Sequence, residues 1–129
     1  MNKRHTPASV AEPFGPYSHA VEVPPGSRML YISGEVGAKP DGTVPADIEE
    51  QAECLWQNIF AILKSAGMGV EDLVKITTYL VREEDLAVAG AARAKYFGES
   101  RPASATLIVP ALIKPGWLIE IEAVAAKSD

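Results

Sequence analysis

One cysteine and two histidines are all that this 129-residue chain offers to disulfides and soft metals. Cys54 alone excludes an intrachain disulfide and any multi-cysteine metal site. His5 and His19 are too few and too separated for a histidine centre, so neither metal nor cofactor is expected. Long apolar runs are missing too. The longest mostly apolar stretch, Ala105 to Ile113, is broken by Thr106 and Pro110 and falls far short of a bilayer span. The opening MNKRHTPASVAEPFG has basic residues but no apolar core, so no secretory signal is read and a cytoplasmic location is expected. Positive charge is scarce: 12 Lys and Arg face 17 Asp and Glu, for a net charge of −5. Nucleic-acid binders draw affinity from clustered cations that neutralise phosphates. No basic cluster here exceeds Lys3-Arg4-His5, so neither nucleic acid nor membrane is an expected partner.

What is present describes a globular domain. The chain is 47% apolar and 22% charged, and Val, Ile and Leu are too abundant for a disordered polymer. Its length suits a single domain over residues 1–129 with one core, and no repeat or linker divides it.

Residues 1–16 read as an extended lead-in, rich in Pro and polar side chains. His19 to Val23 alternates as a strand and is ended by Pro24-Pro25-Gly26; Arg28 to Gly34 (RMLYISG) is a second strand, and the pair is expected to form a hairpin. Lys39-Pro40-Asp41-Gly42 reads as a turn, because Pro40 presets φ and Asp41 can bond nearby backbone. Asp47 followed by Glu50 marks a helix start. Ile48, Ala52, Leu55, Ile59, Ile62, Leu63 and Ala66 then recur at helical spacing, and Gly67 stops the helix. Leu73 to Val81 is a strand with Val74, Ile76, Thr78 and Leu80 on one face. Asp85 to Phe97 is a second, Ala-rich helix whose buried side is Leu86, Ala89, Ala92, Arg93, Tyr96 and Phe97, with Gly98 as terminator. Strands over Ser104 to Val109 and Trp117 to Ala125 complete the order ββ, α, β, α, ββ. The expected fold is α+β. Each helix must bury one stripe, and laying both on the same face of one mixed sheet does this most simply. The other sheet face then has no cover within the chain, which calls for a partner subunit.

Five segments carry a family resemblance in order along nearly the whole chain. They are Gly15-Pro16-Tyr17-Ser18-His19-Ala20, Ile32-Ser33-Gly34-Glu35, the Gln51 to Leu63 helix with Ala66-Gly67, Val74-Lys75-Ile76-Thr77, and the C-terminal Arg101 to Ala126. The last, RPASATLIVPALIKPGWLIEIEAVAA, joins Pro102-Ala103 to a β-rich run, a Pro turn and the closing Ile119-Glu120-Ile121-Glu122-Ala123. Together these resemble the RidA/YjgF family, also labelled endoribonuclease L-PSP. Its active members are small trimers that hydrolyse reactive enamines and imines to ketones and ammonia. The resemblance implies a chorismate mutase-like fold with a single six-stranded mixed sheet, the sixth strand not placed by the residues. It also implies a homotrimer with a small-molecule site between subunits. Four positions depart from the pattern. His19 stands for a glutamine, Glu35 for an amide, Gly90 for an asparagine in an Asn-x-x-Tyr context, and Ser104 for the arginine that grips the substrate carboxylate.

Carried over by position, the resemblance implies catalytic roles for Glu120 and Tyr17 and substrate-binding roles for Ser33, Gly34, Ser104 and Thr106. Imine hydrolysis needs a water beside the C=N carbon and a group that shuttles protons. Glu120 could be that group if desolvation raises its pKa, and Tyr17 could donate a hydrogen bond. Each has a plainer reading: Glu120 and Glu122 as a polar strand edge, and Tyr17 as loop packing. His19 is either an acid–base group or a hydrogen-bonded structural histidine, and Ser104 a nucleophile or an inert strand-start serine. Cys54 borders the first helix's stripe, and Trp56 is a sheet contact or an exposed patch. Arg101, Arg28, Arg82 and Lys114 are the cations weighed as substitutes for the arginine. On Ser104 alone, the chain is expected to act poorly on imines of ordinary amino acids. Two functions remain open: an enamine or imine deaminase of altered specificity, and a non-catalytic trimer that binds a small metabolite in the same cleft.

Overall fold

Six strands and two helices alternate in the computed structural model, which describes residues 1–129. They are β1 (Lys3–His5), β2 (Ala20–Glu22), β3 (Arg28–Glu35), α1 (Ile48–Ser65), β4 (Leu73–Leu80), α2 (Leu86–Phe97), β5 (Ala103–Ile108) and β6 (Ile119–Lys127). The class is α+β, as the periodicities imply.

Helix α1 starts where the Asp47 carboxylate accepts the Glu50 N–H at 2.7 Å, satisfying a donor the helix cannot. It ends before Gly67, whose φ of +69° a side chain would resist. Ile48, Ala52, Leu55, Ile59 and Leu63 are buried as the period predicts. Trp56 is buried as well, at 1% exposure. It is not an exposed patch: it belongs to the core that α1 shares with the sheet, and its ring also meets Phe97 of α2 edge-on at 4.9 Å and lies beside Phe60 and Tyr96. Helix α2 begins one residue later than predicted, after a short 3-10 turn over Glu83–Asp85, and Leu86 is exposed rather than packed.

A four-stranded sheet has the order β3-β6-β4-β5, with β3-β6 and β6-β4 antiparallel and β4-β5 parallel. The parallel pair is joined through α2, the crossover that parallel strands need. Ile32, Ile76, Leu80, Ile119, Ile121, Ala123 and Ala125 turn toward the helices and form one core with α1 and Phe97.

Two expectations are corrected. The single six-stranded sheet is instead two sheets, because β1 and β2 form a separate antiparallel ribbon. The sixth strand, unplaced from sequence, is β1, only three residues long. Nor do β2 and β3 form a hairpin. The turn exists, with Ser27 N–H donating to the Pro24 carbonyl at 3.3 Å. Pro24 and Pro25 have no N–H, however, so no ladder can be carried through it. The ribbon is tied instead to the start of β5: Ser18 bridges Ala103 in parallel, and its hydroxyl donates to the Arg101 carbonyl at 2.6 Å. No helix is long and apolar enough to cross a membrane.

Candidate functional site

The register of β4 divides the expected site residues between the two faces of the sheet. Ser104 pairs with Ile76 and Thr106 with Thr78, so both serine and threonine share the helix-covered face. Tyr79 pairs with Glu120 and Thr77 with Glu122, which puts both glutamates on the opposite face. A chain folded this way cannot bring Glu120 to its own Ser104.

On the helix side lies a cavity of about 740 Å³. The lead-in forms one wall with Phe14 and Tyr17, and α2 forms another with Ala89, Gly90 and Arg93. Ser104 and Thr106 of β5 and Ile119 and Ile121 of β6 make the floor. The lead-in is folded back by its own bonds. The Phe14 N–H donates to the Tyr17 hydroxyl oxygen at 3.2 Å, which leaves the Tyr17 proton free to be donated elsewhere. His19 is held by the Ala11 carbonyl at 2.6 Å and stacks edge-on against Tyr17, which favours its structural reading.

None of the four cations weighed from sequence reaches this cavity. Arg101 donates to the Gly98 and Ser100 carbonyls, and Arg28 pairs with Asp129. Arg82 grips the buried Asp85 through two bonds of 2.9 Å, and Lys114 sits 5.7 Å above the Trp117 ring. The cation in the cavity is Arg93. Its Nη1 donates to Ser104 Oγ and its Nη2 to the Pro16 carbonyl, both at 2.8 Å, while its carbon lies 4.9 Å from the Phe97 ring centre. Sequence reasoning placed Arg93 on the buried side of α2 but missed it as a cation. The available signal was an arginine inside an otherwise apolar helical stripe, with a small hydroxyl residue leading the next strand.

Across the sheet, Gly34 meets Glu120, and Ser33 precedes Gly34 in β3. The β3–β6 ladder slips between Ile32 and Glu35. An added Cβ at Gly34 would stand 2.2 Å from Glu120 Oε2, so the carboxylate occupies the room that glycine leaves. In the next residue, burial, followed by the Glu120 charge, holds the Glu35 carboxyl above the ordinary carboxylate range. A hollow of about 400 Å³ on this face is lined by Ser33, Tyr31, Lys75, Thr77 and Glu122. Tyr79 donates its hydroxyl to Glu122. No group of three His, Cys, Asp or Glu residues is arranged to hold a metal ion.

The family model described as Endoribonuclease L-PSP matches residues 8–127. The chain belongs to this family, the RidA/YjgF group. It is 40% identical over 118 residues to a RutC family protein of Pyrococcus horikoshii, covering 90% of each chain. It is 39% identical over 115 residues to the mouse 2-iminobutanoate/2-iminopropanoate deaminase, covering 88% of this chain and 82% of that one. Among solved structures, the Rid family protein YyfB of Yersinia pestis superposes with a TM-score of 0.84 at 31% identity, covering 98% of both chains. Escherichia coli TdcF, solved with bound serine, superposes with a TM-score of 0.73 at 32% identity, covering 90% of this chain and 91% of that one.

Proposed function

We propose that this protein hydrolyses a small enamine or imine to a carbonyl compound and ammonia, in a cleft completed by a second copy of the chain. The observation that carries the reading is the division of the site. Tyr17, Ser104 and Thr106 line a cavity on one face of the sheet, while Ser33, Gly34 and Glu120 lie on the other. Each half lacks what the other holds. A homotrimer in which one subunit's cavity meets the next subunit's Glu120 unites them and covers the exposed sheet face. Identity near 40% to named 2-imino acid deaminases supports the same chemistry.

In this reading Glu120 takes a proton from water as the water oxygen attacks the C=N carbon. Glu120 passes that proton to the imine nitrogen and the carbinolamine forms. Glu120 then takes the carbinolamine hydroxyl proton and delivers it to the nitrogen, so the carbonyl forms as the C–N bond breaks and ammonia leaves. The Tyr17 hydroxyl donates to the substrate during attack, and the Ser33–Gly34 backbone lies beside the carboxylate. The ribonuclease label attached to the family is not carried over, because a net charge of −5 opposes phosphate binding.

Glu120→Gln keeps the shape and loses the proton acceptor. Ammonia release from imines should fall about 10²- to 10⁴-fold with assembly unchanged. Glu122→Gln, on the same strand face, should leave turnover within a few-fold of the unmodified chain. Equal turnover in the Glu120 variant would reduce that residue to a structural role and favour a trimer that only binds its ligand.

A further inference from the structure

The cavity beside β5 contains a charge that no acidic group of the same chain opposes. Arg93 is half-buried between α2, the lead-in and β5, and it belongs to none of the chain's ion pairs. A guanidinium stays protonated in proteins and carries five N–H donors. Ser104 Oγ and the Pro16 carbonyl each take one, and the enclosed Nε has no partner. Desolvating a cation without a counter-charge is costly. That cost registers as a guanidinium held below its ordinary pKa, by burial first and by the Arg101 charge second.

We propose that Arg93, reaching in from α2, is the residue that grips the carboxylate of a small imino-acid substrate in this cavity, with the Ser104 hydroxyl as its fixed neighbour. The imine half of that ligand rests on the deaminase reading; the carboxylate half does not. Three features favour a carboxylate. A planar guanidinium matches a carboxylate through parallel hydrogen bonds. Only one cation lines the cavity, which suits a monoanion better than a phosphate. The floor beside it is apolar, with Ile119 and Ile121, which suits a short alkyl chain. Arg93 is also preorganised, because Phe97 supports its flat face and Pro16 holds one end. A purely structural clamp would use the two bonds, but each Nη carries a further N–H that has no partner in the chain. The proposal reverses the expectation drawn from Ser104 alone: β5, with sequence ASATLI, supplies no cation, and α2 supplies it instead.

Pyruvate, the product carboxylate of the simplest such substrate, is the binding probe, measured by calorimetry on the full chain. Arg93→Gln keeps donors of similar reach and loses the charge; Arg93→Lys keeps the charge and loses the fork. Pyruvate should bind the unmodified protein, weaken about 10- to 150-fold in Arg93→Gln, and be partly retained in Arg93→Lys. For turnover, kcat/KM on 2-iminopropanoate generated in situ should fall in Arg93→Gln by that factor beyond any fall on a neutral imine of similar size. Thermal melts identify variants that fail to fold, and Arg93→Lys then carries the comparison. The proposal is overturned if the unmodified chain ignores millimolar pyruvate, if Arg93→Gln binds it equally well, or if both imines suffer alike. Should neither imine be hydrolysed, the deaminase reading falls, while pyruvate binding still decides the role of Arg93.

Discussion

A side chain at Gly34 would displace the Glu120 carboxylate, and the next residue, Glu35, carries a carboxyl that feels the Glu120 charge. Burial first, and the Glu120 charge second, make ionisation of Glu35 costly. The sign of the effect on stability follows from linkage. A carboxyl whose folded pKa is raised holds its proton more tightly in the native state than in the unfolded chain. Its contribution is therefore fully present below the ordinary carboxylate range and is lost as pH rises through the raised folded value. Glu35→Gln is neutral at every pH. It should be more stable than the parent at pH 7, and the gap should close as the solution is acidified below the carboxylate range. Denaturant titrations of both proteins at several pH values test this; a gap that does not change with pH would show that Glu35 feels neither burial nor Glu120.

At the scale of elements, α1 separates what apolar periodicity can read from what it cannot. Ile48, Ala52, Leu55, Ile59 and Leu63 follow from spacing alone, because the helix must set one stripe on the sheet. Trp56 and Gln51 do not. A helix that packs on a sheet and also on a second helix buries an arc wider than one stripe, and Trp56 fills the added arc against Phe97. Gln51 is fully buried at 0% exposure, yet its amide donates to the Pro45 and Gly116 carbonyls and accepts the Leu118 N–H. Two of those partners, Gly116 and Leu118, are distant in sequence, which no local pattern reveals. Trp56→Ala should cost about 3–5 kcal/mol through the cavity it opens. Gln51→Ala leaves three backbone groups unpaired at about 1–3 kcal/mol each, so a loss of at least 3 kcal/mol is expected. Gln57→Ala, on the exposed side, should stay within about 0.5 kcal/mol. Chemical denaturation of the three variants ranks them; a Gln51 variant as stable as the Gln57 variant would mean that water replaces its bonds at no cost. The same limit explains the site. Tyr17, Ser33, Gly34, Ser104, Thr106 and Glu120 were found by resemblance to a family pattern, whereas Arg93 reaches the cavity through a contact between α2 and β5 that no spacing along the chain encodes.

For the whole molecule, the decisive feature is that the residues of the proposed site are divided between the two faces of the sheet. Tyr31 is 76% exposed, Phe14 96% and Ile113 85%, and such apolar surface calls for a partner. A homotrimer with three equivalent clefts meets both needs, and sedimentation at micromolar concentration should show one. Complementation asks more than assembly does. Glu120→Gln and Arg93→Gln each disable a different half, so trimers of either variant alone should be nearly inactive on 2-iminopropanoate. In mixed trimers, a cleft formed by Arg93 of a Glu120→Gln subunit and Glu120 of an Arg93→Gln subunit is intact. Random assembly of equal amounts makes each partner correct half the time, so about a quarter of the parental activity should return after unfolding and refolding the mixture. Mixing without exchange of subunits should restore nothing. A refolded mixture no more active than its separate components, with exchange verified by mass, would mean that Glu120 and Arg93 do not serve the same cleft, and the shared-site arrangement would have to be abandoned.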